Sequence, residues 1–152
     1  MTTDEEYMRL ALALAQKAMS MGEVPVGAIV VLDGQIVGEG CNRPISSNDP
    51  TAHAEIEAMR DAARRVGNYR LVGCSLFVTL EPCLMCAGAI QHARISRLIY
   101  GASDPKTGAC GSVLDVFSDS RLNHHATLSS NILKEECGEI LKQFFSEKRR
   151  KA

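Results

Sequence analysis

The sequence lacks a dominant charge of either sign. Its 152 residues carry 17 Lys and Arg against 18 Asp and Glu, which gives a formal net charge of −1. A chain with this balance has no global positive field to draw it to nucleic acid or to an anionic membrane. Overall charge therefore excludes binding that relies on bulk electrostatic attraction alone.

Long hydrophobic runs are also missing. The longest apolar stretch extends from Val24 to Leu32, whereas a membrane-spanning helix needs about 20 apolar residues. The N-terminal residues from Met1 to Glu6 are acidic, unlike the basic start of a secretory signal. We therefore expect a cytoplasmic protein without a membrane partner, in which cysteines stay reduced.

The composition is that of a single globular domain over residues 1–152. Hydrophobic residues make up 45% and charged residues 23%, and we find no linker or internal repeat. Periodicity and turn residues predict helices over about 4–20, 52–66 and 83–92, a long last helix, and strands over about 26–32, 35–39, 75–79, 97–100 and 126–128. This alternation predicts an α/β fold, with one mixed sheet covered by helices on both faces.

The six cysteines divide into two groups. Cys83 and Cys86 stand three residues apart at the start of a predicted helix, which places both sulfurs on one side of its first turn. The helix N-terminus favours the thiolate, the form that binds metal. The other four are scattered among apolar or glycine-rich residues, and we interpret them as buried packing residues: Cys41, Cys74, Cys110 and Cys137.

His53 completes a ligand set suited to Zn²⁺. Two cysteines and one histidine leave the fourth zinc position to water, as in catalytic sites. Glu55 adds a carboxylate that can move the protons of that water. Residues i and i+2 lie about 200° apart around a helix. His53 and Glu55 can therefore reach the same site only if that site lies beyond the N-terminal end of a helix. Asp49 is the predicted cap there, so two helix N-termini should converge on one metal.

A non-enzymatic zinc module is the alternative from a different class. It requires a fourth protein ligand, for which Cys41, Cys110 and His124 are the candidates, and it gives Glu55 no role. The order His-x-Glu followed by Pro-Cys-x-x-Cys, however, is the signature of zinc-dependent nucleobase deaminases. Residues 53–55 and 82–86 fit that order without exception, which favours a catalytic zinc.

Beyond these residues, the chain closely resembles the bacterial tRNA-specific adenosine deaminases. The resemblance covers about residues 5–150, and its motifs lie at 22–28, 42–44, 49–55, 69–71, 78–83, 85–90, 100–102, 104–108 and 123–124. It implies a three-layer α/β/α cytidine-deaminase-like fold with a mixed five-stranded sheet, one Zn²⁺ per subunit and a homodimer. The implied reaction converts the wobble adenosine of a tRNA anticodon loop to inosine and releases ammonia.

The resemblance also assigns roles to individual residues. His53, Cys83 and Cys86 hold the metal, and Glu55 protonates the adenine ring nitrogen N1 while activated water attacks C6. Residues implied to frame or contact the RNA are Asn42, Ala54, Glu81, Pro82, Asp104, Lys106, Asn123 and His124. His125 stands where relatives often carry Arg, a departure that weakens one expected phosphate contact.

The end of the last helix, about residues 142–151, is the one concentrated basic segment. Lys148 to Lys151 form an uninterrupted run, and Phe144 and Phe145 beside it offer aromatic surface of the kind on which RNA bases stack. We therefore expect Arg149 and Arg150 to contact a tRNA anticodon stem-loop. A deaminase of a free base or nucleotide, such as guanine or deoxycytidylate, remains open because it uses the same zinc ligands.

Overall fold

The computed structural model describes residues 2–151. Its five-stranded sheet has the order β2-β1-β3-β4-β5. β1 is antiparallel to β2 and β3, whereas β3, β4 and β5 are parallel. The strands are β1 (Gly27–Leu32), β2 (Gln35–Cys41), β3 (Ser75–Leu80), β4 (Arg97–Ala102) and β5 (Thr127–Ser129). The predicted mixed sheet is therefore confirmed.

Four α-helices cover the two faces of the sheet. They are α1 (Asp4–Ser20), α2 (Ala54–Val66), α3 (Leu84–Ala93) and α4 (Lys134–Lys151), and a short 3₁₀ turn, Val116–Ser118, precedes β5. Within β1, Ala28 packs in the cluster that α2 and α3 cover, and Ile29 packs in the cluster that includes residues of α1 and α4. Successive side chains of a strand point to opposite faces, so the fold has the three layers expected. Among residues 2–151, no helix combines the length and the apolar content that crossing a bilayer requires.

The sheet brings four strand ends to one edge. Gly27 at the start of β1 pairs with Cys41 at the end of β2, and Leu80 at the end of β3 pairs with Ala102 at the end of β4. The segments that follow β2, β3 and β4 therefore leave the sheet side by side. These segments carry most of the predicted site residues.

Gly40 lets α2 approach this edge closely. A Cβ atom at Gly40 would lie 2.5 Å from the carbonyl oxygen of Ala54 and 2.5 Å from the backbone nitrogen of Ala58, closer than packed atoms tolerate. The absence of a side chain at Gly40 thus allows the first turn of α2 to lie directly on β2. That turn follows His53 and contains Glu55.

Candidate active site

Three side chains that can ligate a metal converge at the starts of α2 and α3. His53 is the N-cap of α2 and Cys83 is the N-cap of α3, and neither side chain caps its helix by a hydrogen bond. Cys86 lies in the first turn of α3. The Nδ1 atom of His53 is 3.6 Å from Sγ of Cys83 and 3.4 Å from Sγ of Cys86. The predicted convergence of two helix N-termini is therefore confirmed.

These distances suit a tetrahedral zinc ion. Bonds of about 2.3 Å to sulfur and about 2.0 Å to nitrogen, at tetrahedral angles, separate the sulfur and nitrogen atoms by about 3.5 Å. Hydrogen bonding with Cys86 and His53 also lowers the pKa of Cys83 to about 4, against the raising effect of its burial. Cys83 is therefore a thiolate at neutral pH, the form that binds zinc.

The part of the chain that the structure describes offers no fourth protein ligand to this cluster. Within residues 2–151, His53, Cys83 and Cys86 are the one set of three or more His, Cys, Asp or Glu side chains placed to share an ion. His124, a candidate fourth ligand, instead places Nε2 2.5 Å from the carbonyl oxygen of Ile95. The three-ligand arrangement of a catalytic zinc site fits, and the four-ligand site required by a non-enzymatic module does not.

The four scattered cysteines are buried, as predicted from the sequence. Their exposed fractions are at most 7%, and all six cysteines of the chain are free thiols. Burial raises the pKa of Cys110 and of Cys41, which keeps both protonated at neutral pH. They are therefore packing residues of the core.

Glu55 lies beside the ligands in a small cavity. It is 4% exposed, and burial raises the pKa of its carboxyl group to about 7. A carboxyl group with a pKa near neutrality can both accept and donate protons. The cavity has a volume of about 110 Å³ and is lined by Val24, Val26, Asn42, His53, Glu55, Leu80, Glu81, Cys83, Asp104 and Thr107.

The predicted cap of α2 is wrong. Asp49 accepts hydrogen bonds from the backbone nitrogen and the hydroxyl of Thr51, at 2.8 and 2.7 Å, and so closes a local turn. α2 begins at Ala54, two residues later than predicted, and α3 begins at Leu84, one residue later. Because both helices begin later than predicted, His53 and Cys83 are the N-cap residues that stand just before α2 and α3.

Asn42 connects the β2 end to the start of α2. Its Oδ1 atom accepts a hydrogen bond of 2.9 Å from the backbone nitrogen of Ala54. Asn42 also lines the cavity, where its amide NH₂ group can donate to a base. The same bond occupies the Ala54 N–H, so Ala54 helps to frame the site by fixing Asn42 and does not offer that N–H to a ligand.

The loop after β4 forms the opposite wall. Asp104 accepts hydrogen bonds from the backbone nitrogens of Lys106 and Thr107, at 3.0 and 3.2 Å, and from the Thr107 hydroxyl at 2.8 Å. Pro82 joins this wall to α3, because its carbonyl oxygen accepts a hydrogen bond of 2.9 Å from the nitrogen of Ala109. The carboxylate of Glu81 is 2% exposed and bonds to this same loop.

A second, larger cavity of about 500 Å³ adjoins the first. The two share the wall residues Val24, Leu80, Asp104 and Thr107. The remaining wall of the second cavity consists of Ser103, Pro105, Lys106, Leu141, Lys142 and Phe145. Leu141 and Lys142 lie one helical turn before Phe145. Although Lys142 begins the predicted basic segment, the sequence did not indicate that either residue lines a cavity, because neither belongs to a motif.

Arg149 and Arg150 lie beyond these cavities, in the exposed last turn of α4. Neither lines the metal cavity or the second cavity. In the same helix, the Lys148 ammonium lies 5.3 Å from the centroid of the Phe144 ring. Arg149 lies four residues after Phe145 on α4 and so continues the helix face that lines the second cavity.

Asn123 and His124 are not brought to the metal cavity within one chain. Both precede β5, which is parallel to β4, so they lie towards the amino ends of these strands while the site lies at the carboxyl end of β4. Asn123 lines a separate cavity of about 480 Å³ beside α3, together with Leu84, Gly88, His92 and Arg94 among others. Neither residue lines the metal cavity of its own chain, and their contact with the RNA stays a prediction.

Comparisons with known proteins agree with this geometry. Residues 1–102 match the family described as the cytidine and deoxycytidylate deaminase zinc-binding region. A tRNA-specific adenosine deaminase of Haemophilus influenzae is 54% identical over 147 residues, which is 96% of this chain and 85% of that protein.

Two solved structures are also similar. One, from a study of A-to-I editing by tRNA:A34 deaminases at the wobble position of transfer RNA, has a TM-score of 0.86 and 48% identity, covering 89% of this chain and 98% of the other. The second is a guanine deaminase from Bacillus subtilis, with a TM-score of 0.66 and 40% identity, covering 76% of this chain and 74% of the other. The higher identity and the fuller coverage lie with the enzymes that act on transfer RNA.

Proposed function

Because the chain belongs to the tRNA-specific adenosine deaminases of the zinc-dependent cytidine and deoxycytidylate deaminase family, we propose that it deaminates the wobble adenosine of a tRNA anticodon loop to inosine. One observation carries the chemistry: a three-ligand metal cluster shares a cavity with the buried carboxyl group of Glu55. The substrate class follows from the relatives that span almost the whole chain.

The cofactor is one Zn²⁺ per subunit. When bound by His53, Cys83 and Cys86, it supplies the Lewis acidity that makes water nucleophilic at neutral pH. Glu55 accepts the proton that the water loses as its oxygen bonds to C6 of adenine, and delivers that proton to ring nitrogen N1. Glu55 then moves the second water proton to the amino group, so that the C6–N bond breaks and ammonia leaves. Inosine keeps the proton on N1.

The cavity walls can orient the base for this reaction. Asn42 presents its amide NH₂ group from one side, and the Glu81-Pro82 turn and Asp104 bound the other. The metal cavity is small and shares wall residues with the second cavity, which offers the exposed ring of Phe145 and two lysines, Lys106 and Lys142. We assign the second cavity to the nucleotides next to the flipped adenosine, since stacking and phosphate neutralisation are what single-stranded RNA requires.

The decisive test offers the purified zinc-loaded protein three substrates side by side: an anticodon stem-loop with adenosine at the wobble position, free guanine and free cytidine. We expect ammonia release and inosine formation from the RNA alone. Nucleoside analysis of the RNA and ammonia assays of all three reactions check this. Turnover of guanine without turnover of the RNA would contradict the proposal.

Arg149 and Arg150 are expected to bind the RNA backbone. Replacing both with alanine should weaken binding of the stem-loop about tenfold and reduce the slope of log Kd against log salt by about 1.4, because each of the two lost phosphate contacts removes about 0.7 from the slope for single-stranded nucleic acid. The matched control replaces Arg64 and Arg65, an adjacent pair at the end of α2, and changes the net charge equally. A salt slope equal to that of the wild type would rule out these contacts.

We further propose that the protein acts as a homodimer in the cytoplasm. The start of α3 exposes Leu84 and Met85, which are 58% and 37% accessible, and such apolar surface is typical of an interface. The cavity lined by Asn123 lies on the same face, which gives Asn123 and His124 access to RNA bound across both chains. Sedimentation velocity should show a dimer that Leu84→Glu dissociates, and a monomeric wild type at assay concentration would argue against it.

A further inference from the structure

Two carboxylates next to the site are buried without an ion-pair partner. Glu23 is 1% exposed and Glu81 is 2% exposed, and neither takes part in a salt bridge among the ion pairs formed by residues 2–151. Burying a charge is costly unless hydrogen bonds replace its hydration. Each of these side chains therefore needs a specific set of donors.

Glu81 obtains its donors from the loop after β4. Its Oε1 atom accepts from the nitrogen of Asp104 at 3.0 Å, and its Oε2 atom accepts from the nitrogens of Cys110 and Ser112 at 2.9 and 3.2 Å. The Ser112 hydroxyl donates to Oε1 as well. One carboxylate thus ties together both ends of the segment 104–112.

Gly108 shows how closely this loop fits the carboxylate. A Cβ atom at Gly108 would overlap the carboxyl group of Glu81. The loop backbone therefore wraps the charged group directly, with no side chain between them. The carboxylate has both oxygens occupied by the protein, so Glu81 contributes to the site by holding its wall.

Glu23 accepts hydrogen bonds from the loop after β2 in the same way. Its Oε1 atom accepts from the nitrogen of Ile45 at 3.2 Å, and its Oε2 atom accepts from the nitrogen and the hydroxyl of Ser46 at 2.6 and 2.5 Å. This loop begins with Asn42 and ends with His53. In both cases a buried carboxylate receives backbone N–H groups and one serine hydroxyl from a surface loop.

Glu23 stays ionised at neutral pH. Burial alone raises the pKa of its carboxyl group, but hydrogen bonds from Ser46 and Ile45 outweigh burial, so the net pKa is below its ordinary value. The carboxyl group of Glu81 accepts from the same kinds of donor, backbone N–H groups and one serine hydroxyl. Charge-assisted hydrogen bonds of this kind are roughly twice as strong as neutral ones.

We propose that Glu23 and Glu81 are positioning residues that fix the two loops facing each other across the entrance to the metal cavity. Glu23 holds the loop that carries Asn42, and Glu81 holds the loop that carries Asp104. The inference rests on the proposed function only in naming RNA as the ligand that these loops meet. Loss of either carboxylate should loosen one loop and impair substrate binding more than the chemical step.

The test uses the zinc-loaded enzyme with Glu81→Gln and Glu23→Gln, and with Glu135→Gln on the exposed side of α4 as the control. A glutamine offers one acceptor oxygen and turns an NH₂ group towards the remaining donors. We expect each positioning variant to raise KM for the stem-loop about tenfold with kcat changed less than threefold and zinc content unchanged. Amide hydrogen exchange should accelerate about tenfold at 104–112 in Glu81→Gln, and at 45–46 in Glu23→Gln.

Two milder variants keep the proposal testable if a glutamine variant fails to fold. Ser112→Ala and Ser46→Ala each remove one hydroxyl donor from an exposed loop position, and Ser→Thr at the same positions should restore the wild-type KM. Wild-type KM and exchange rates in all four loop variants would overturn the proposal. Failure of the wild type to deaminate the RNA would instead refute the proposed function, because the hydrogen-exchange result does not depend on substrate.

Discussion

Replacing Glu55 by alanine is expected to leave one zinc per chain bound and to reduce turnover of the anticodon stem-loop about 10³-fold, within the range attributed to general acid–base catalysis. Glu55 is not part of the three-ligand cluster, so the metal should remain. Both proton transfers of the reaction pass through its carboxyl group, and no other carboxyl group among the cavity-lining residues is free of loop contacts. Metal analysis and single-turnover kinetics on the same sample measure the two quantities.

Glu57→Ala is the matched control. Glu57 lies in the same first turn of α2 and has the same side chain, but it does not line the metal cavity, so its removal leaves that cavity intact. We expect near wild-type turnover for this variant. If Glu55→Ala kept full activity, or if it lost its zinc, the assignment of Glu55 as the proton carrier would fail.

Replacing Cys86 by alanine is expected to reduce bound zinc from one ion to none per chain and to abolish deamination. Cys86 is fully buried in the first turn of α3, and two remaining ligands, His53 and Cys83, hold zinc far less tightly than three. Because metal binding stabilises the folded state, Tm should also fall, and added zinc should no longer raise it.

The control for this variant is Cys74→Ala, which removes another buried thiol from the core. It should lose some stability through the cavity that it creates, while its zinc content stays at one. Cys110→Ala tests the rival hypothesis of a fourth protein ligand. Loss of zinc in Cys110→Ala, or its retention in Cys86→Ala, would show that the ligand set is misassigned.

Local sequence carried enough information to predict the metal cluster. Cys83 and Cys86 are one helical turn apart. Pro82 and the apolar residues that follow indicated that both cysteines lie at the start of a helix. The geometric requirement that His53 and Glu55 meet only beyond the N-terminal end of a helix placed the start of α2 within two residues of where it lies. The choice of Asp49 as its cap failed because a carboxylate next to Thr51 is equally well satisfied by a local turn.

Contacts between distant parts of the chain were not predictable in this way. The hydrogen bonds that Ser112 donates to Glu81 and that Ser46 donates to Glu23 join residues that no helical or strand pattern in the sequence relates. The second cavity depends on how α4 lies beside the loop after β4, which no local pattern determines. Asn123 and His124 show the same limit, since the strand direction places them away from the metal cavity of their own chain and their predicted contact with the RNA depends on a second chain.

The end of the sheet where β1 begins and where β2, β3 and β4 end separates two tasks along the chain. Every metal ligand and Glu55 lie within residues 1–102, the part that matches the deaminase family, whereas the far wall of the second cavity comes from 103–107 and α4. Six residues line the second cavity without lining the metal cavity: Ser103, Pro105, Lys106, Leu141, Lys142 and Phe145. Substitutions among them can therefore alter which molecule is admitted while the metal ligands and Glu55 stay unchanged.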